Sequence, residues 1–159
     1  NQSFFYGRHG DIMGQLYILL ALAIGLLLPI QVGINTELAQ RISSPITASL
    51  FSFAVGTIGL MVCLFIFRDP WPDLNTLNTI PKWLWLGGFI GAFAVFGSII
   101  SGPQIGLLSL VAFVLAGQLL ASLVLDHYGW LGFPVRELSL GRISGSVLLL
   151  TAVVLIHKY

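Results

Sequence analysis

Five apolar runs, separated by short polar or proline-rich gaps, account for most of this chain. They cover about residues 14–34, 46–67, 83–101, 104–125 and 139–157. Each is near the roughly 20 apolar residues that a membrane-spanning helix needs. Polar and apolar residues do not alternate with period two along them, which argues against a transmembrane β-barrel. The pattern predicts an all-α membrane protein with five transmembrane helices in a single domain, residues 13–159. An odd number of spans puts the two ends of the chain on opposite sides of the bilayer. It also rules out two equal membrane halves within one chain.

Prolines punctuate the runs. Pro45, Pro81, Pro103 and Pro134 stand at or just before their starts, where a missing N–H costs nothing. Ser44 is placed to cap the second helix. Pro70 and Pro72 stiffen the loop from Arg68 to Pro81. Gly102-Pro103 alone divides the third and fourth runs, which predicts a tight antiparallel hairpin with Gln104 near the start of the fourth helix. Pro29 differs, because it lies inside the first run. It removes one helix hydrogen bond and crowds the carbonyl of Gly25. The first helix is therefore expected to kink or break locally, as helices beside transport sites often do.

Small residues recur at helical spacing, notably Gly87, Gly91, Ala94 and Ser98 in the third run and Gly141 and Gly145 in the last. They predict close approach of helix backbones. Trp83 and Trp85 beside Lys82 are expected to anchor a helix end at the headgroups.

Composition agrees with a membrane location. Of 159 residues, 57% are hydrophobic and 8% charged, with mean hydropathy +0.96. A soluble domain is about one-quarter charged. The net charge of +1 leaves no electrostatic footprint for nucleic acid. Cys63 is the single cysteine, so neither an intrachain disulfide nor a thiolate metal site is expected. Residues 1–12 differ in character from the rest and have the look of a vector-derived leader or a short tail ahead of Met13.

No phosphate-binding glycine loop, zinc-protease motif or nucleophile elbow occurs. The three histidines do not cluster. The chain is expected to be no enzyme and to use no cofactor or metal.

Polar residues within the spans are few, and they normally face a partner helix or a cavity. Gln31 and Asn35, four apart, share a face of the first helix, with Glu37 at its end. Gln118, Ser122 and Asp126 form a stripe on the fourth, and His127 follows. Amides donate and accept, so Gln31, Asn35, Gln118 and Ser122 are candidates for contacting a polar solute; the alternative is helix bridging. Pro29, Glu37, Asp126, His127 and Arg142 are candidates for coupling or gating. If transport is proton-coupled, Asp126 and the adjacent His127 are the candidate pair, and Arg142 can snorkel to the surface or pair with Asp126 or Glu137.

With five spans, Arg68, Lys82, Arg136 and Arg142 fall on one side, and Arg41 and Lys158 on the other. This bias favours a cytoplasmic N-terminus only weakly and leaves dual topology open.

These residues also carry a family resemblance. The stretch Pro29-Ile-Gln31-Val-Gly-Ile-Asn35, then Ser44-Pro45 and Gly56-Thr57, resembles the opening of the YdcZ-like family of the drug/metabolite transporter superfamily. Ala116-Gly117-Gln118-Leu119, Asp126-His127-Tyr128-Gly129 and Arg142 with Gly145 are similar too. The resemblance covers nearly everything from Met13 onward and implies a half-size transporter of the bacterial inner membrane. Relatives occur singly, as oppositely oriented pairs and as fused ten-helix chains. This implies an antiparallel homodimer giving a ten-helix assembly in the lipid bilayer. The motif positions carried over are Gln31, Asn35, Gln118, Asp126 and His127.

The resulting expectation is a secondary transporter of small polar metabolites or drug-like solutes, working by alternating access. A passive channel and an accessory membrane subunit without transport of its own are the rivals.

Overall fold

The computed structural model describes the backbone from residue 3 and the side chains from residue 13. The leader expected over residues 1–12 lies outside the residues described in full. The regular elements among the described residues are all helices, with no strand. The elements are α1 (Ser3–Ile42), α2 (Pro45–Phe67), a short α3 (Leu74–Thr79), α4 (Leu86–Ile105), α5 (Leu107–Tyr128) and α6 (Leu140–Lys158). Single 3₁₀ turns precede α4 at Lys82–Trp85 and follow α5 at Trp130–Gly132. Among the described residues, five helices are long and apolar enough to cross a membrane: Met13–Ile42, Pro45–Phe67, Lys82–Ile105, Leu107–Tyr128 and Leu140–Lys158.

Two helix ends differ from the sequence expectation. The first helix reaches Ile42 rather than residue 34. Its extra turns, Thr36 to Arg41, are polar but rich in helix formers such as Glu, Leu, Ala, Gln and Arg. Hydropathy marks where lipid contact ends, not where the helix ends. Glu37 therefore sits within α1, where its carboxylate accepts from Arg41 Nε at 2.8 Å. The second difference is the break between the third and fourth spans. It falls at Gly106, which adopts φ +83°, not at Gly102-Pro103. Pro103 lies inside α4, and Gln104 belongs to its last turn rather than to the start of the next helix. A backbone at that φ favours glycine, so Gly106 sets the boundary.

α1 runs unbroken through Pro29. A local break there is not observed, in keeping with the tolerance of membrane helices for proline.

The chain divides into two compact units, Asn1–Ile99 and Ile100–Tyr159. In the first, α1 and α2 form a hairpin turned at Ser43, which has φ +55°. Ser44 caps α2 as expected, accepting from the Thr47 N–H at 3.2 Å. Next to the turn, Ala39, Ala48 and Ile99 pack into a small core with Leu38, Ile42 and Val95 against it. Further along, the Phe53 ring lies over Gly91 of α4. A Cβ added at Gly91 would be 3.5 Å from Phe53 Cζ.

In the second unit, α5 and α6 run antiparallel. Phe113, early in α5, meets His157 near the end of α6 edge-on at 5.1 Å. Asp126, at the end of α5, meets Arg142 in the first turn of α6. Ala112, Ala116 and Val153 make the core between them. In both units alanines dominate the buried residues, with Ile99 and Leu110 the large exceptions. Lipid is as apolar as leucine, so close backbone approach holds membrane helices together more than burial of large side chains does.

Candidate functional site

In the first unit the two amides predicted to share a face part company. Asn35 is 4% exposed, one turn before Ala39 in the α1–α2 contact. Gln31 is exposed. Pro29 is half-buried and Glu37 is exposed in its pair with Arg41. The buried Asn35 therefore belongs to helix packing at least as much as to any solute. Gln31 is the amide that α1 leaves open.

The same unit contains a feature that sequence reasoning passed over. A groove of about 600 Å³ between α2 and α4 is walled by Phe53, Trp85, Phe89, Phe93 and Phe96. Gly88 and Ala92 form part of its lining. The signal was present as aromatics at 89, 93 and 96, one helical face. It was masked because every apolar residue in such a run also suits lipid.

The second unit brings several candidates together. The Arg142 guanidinium donates to Asp126 Oδ2 and, through its other terminal nitrogen, to the carbonyl of Arg136 at 2.9 Å. The Arg136 N–H donates to the carbonyl of Asp126 at 2.8 Å. Asp126, Arg136 and Arg142 thus close the end of the α5–α6 hairpin as one network. The connection can fold back because Gly129 (φ +63°) and Gly132 (φ +84°) take left-handed conformations. The carbonyl of Arg136 could not have been read from sequence. Of the two partners expected for Arg142, the structure selects Asp126.

Gln118 and Ser122 are exposed on α5. Ser122 lines a cavity of about 260 Å³ with Gly141, Arg142, Gly145 and Ser146. The neighbouring His127 has its Nδ1 enclosed without a hydrogen-bond partner among the described residues. Its ring meets Tyr128 edge-on at 4.9 Å, and it borders an apolar cavity of about 450 Å³ with Leu123, Ile143 and Val147. Part-buried opposite charges, a hydroxyl and a cavity together can bind a small polar solute. They offer neither a nucleophile held by a base nor a cluster of metal ligands.

A family model described as "Putative inner membrane exporter, YdcZ" matches residues 16–155. The chain is 30% identical over 144 residues to "Inner membrane protein YdcZ" of Escherichia coli (strain K12), covering 90% of this chain and 94% of that protein. No solved structure gives a significant match.

Proposed function

Because the chain belongs to the YdcZ family of inner-membrane exporters, we propose that it is a secondary transporter of small polar metabolites or drug-like solutes, working by alternating access. It is a multi-pass protein of the bacterial inner membrane, and its family is one of exporters rather than enzymes.

The observation that carries the proposal is the exposure of polar groups inside the spans. Gln31 on α1 and Gln118 and Ser122 on α5 are exposed in the single chain. Left against lipid, each would be an unsatisfied polar group costing several kcal/mol. They are at rest only against water, a solute or another protein surface. In the proposed assembly the chain pairs with an inverted copy of itself. The odd number of spans and the weak charge bias support that arrangement. In such a dimer, inward-open and outward-open states are the same structure with the roles of the two subunits exchanged. Gln31, Asn35, Gln118 and Ser122 would contact the solute, and Asp126, His127 and Arg142 would gate or couple its movement.

Flux of a solute panel into liposomes containing only this chain tests the transporter reading. Saturable uptake is expected, and large single-channel currents in planar bilayers would instead make it a channel. Replacing Gln31 and Gln118 by Leu should abolish uptake while the protein stays folded. Cysteine labelling at both termini from each side of the membrane should find both orientations; one uniform orientation sinks the antiparallel homodimer.

A further inference from the structure

We infer that the closed end of the α5–α6 hairpin is a binding site for a small zwitterion, a solute bearing one ammonium and one carboxylate, such as a free α-amino acid. This rests on the transporter reading above and narrows its substrate class.

The first ground is charge. Asp126 and Arg142 are paired and only partly exposed, with side-chain accessibilities of 25% and 31%. Taken together they are neutral. A singly charged anion that displaced Asp126 from Arg142 would leave a carboxylate unpaired at the membrane edge, and a cation would leave the guanidinium so. Breaking a buried pair by stranding one partner is strongly unfavourable. A zwitterion avoids this, because its carboxylate meets Arg142 while its ammonium meets Asp126. One internal pair is exchanged for two, with no charge left over.

The second ground is space and hydrogen bonding. The cavity of about 260 Å³ is lined by Arg142 with Leu119, Ser122, Leu123, Gly145 and Ser146, and has room for a small solute; Asp126 adjoins it through its pair with Arg142. The space beside Gly145 is open, because a Cβ built there would find nothing within 4 Å. Arg142 uses one terminal nitrogen on Arg136 and the other on Asp126, and a guanidinium carries five N–H donors in all, so donors remain for a carboxylate. Ser146 and Thr151 turn their hydroxyls to carbonyls one turn back at 2.8 Å. Ser122, which lines the cavity, makes no such bond among the described residues, so a solute there can use its hydroxyl. The first turn of α6, from which Arg142 projects, further favours a carboxylate.

The test is equilibrium binding of L-alanine to the purified full chain in detergent, competed by L-lactate and by L-alaninamide. These derivatives keep the size but remove the positive or the negative charge. L-Alanine should bind, and each derivative should compete at least about tenfold more weakly. Ser122→Ala and Gly145→Leu should weaken L-alanine binding by about tenfold with the melting temperature unchanged. That effect separates a binding role from a merely structural one. The charge-reversed pair Asp126→Arg with Arg142→Asp restores the ion pair and should retain the preference for L-alanine over both derivatives. Equal competition by all three compounds overturns the inference. So does a folded protein that binds none of L-alanine, L-serine or glycine. If liposomes containing the chain nevertheless transport singly charged or neutral solutes, the transporter reading stands and only the zwitterion site falls.

Discussion

Arg142 and Asp126, sixteen positions apart, are joined by an ion pair that closes the α5–α6 hairpin. The same guanidinium holds the Arg136 carbonyl, so one side chain fastens both helix ends and the loop between them. The pair ties a sequence motif at the end of one helix to the start of the next, and it converts a flexible connection into a folded one.

Breaking that pair should loosen the hairpin. Asp126→Asn and Arg142→Gln are each expected to lower stability in detergent by about 1–2 kcal/mol, the lower range for a charged hydrogen bond given the partial exposure. Arg142→Lys should recover little, because an ammonium cannot fork between Asp126 and Arg136. Thermal unfolding followed by tryptophan fluorescence reads the effect. Unchanged melting in both single variants would mean that the loop is held by its backbone bonds alone.

Gly129 should tolerate no side chain. It is left-handed at φ +63°, and a Cβ there would lie 2.6 Å from Val135 Cγ2 and 3.3 Å from the Phe133 carbonyl oxygen. Gly129→Ala is expected to cost about 1–2 kcal/mol, from the strained backbone and the crowding together. Adding Val135→Ala should return only part of this, since it removes the clash and leaves the φ. Full recovery in the double variant would show that the backbone contributes nothing.

Much of this was legible in the sequence, and the failures have physical causes. The five spans and the Ser44 cap follow from local chemistry. The far end of α1 was missed because polar helix formers extend a helix beyond the lipid. The break falls at Gly106 rather than at Pro103 because the left-handed glycine, not the proline, decides where the helix ends. Asn35 and Gln31 share a helical face, yet their burial differs because packing against α2 is a tertiary fact. The pair of Asp126 with Arg142 was foreseen as one of two options. That Ser122 and Arg142 line one cavity could be known only from the fold.

The loop between α2 and α4 should respond to acid. Asp73 caps the short helix α3, accepting from the Thr76 N–H at 2.8 Å. The Thr76 hydroxyl first, and its backbone N–H second, hold the Asp73 carboxyl below its ordinary value. With the folded value depressed, the cap's contribution is fully present above the ordinary carboxylate range. It disappears as pH falls through the lowered value. Amide exchange at Thr76 should therefore speed up only in acid, below about pH 4, beyond the intrinsic pH dependence of exchange. Asp73→Ala should show the faster rate at neutral pH and lose the acid step. An acid step that persists in the variant would assign it to another group.

The α1–α2 contact should fail through size rather than polarity. Ala48 is completely buried between Ala39 and Ile99, just past the Ser44 cap. Two helices can approach this closely only where side chains are small. Ala48→Leu inserts three carbons where none fits, and overpacking of this kind costs about 1–3 kcal/mol. Ala48→Gly, by contrast, leaves the spacing intact and costs roughly the helix propensity difference, about 1 kcal/mol. The two variants thus separate crowding from helix strength. Thermal unfolding should rank them with Leu below Gly and both below the parent, and a cysteine pair placed across the hairpin should crosslink in the Gly variant but not in the Leu variant. If the Leu variant matches the parent in melting and crosslinking, the hairpin has room that its buried alanines deny.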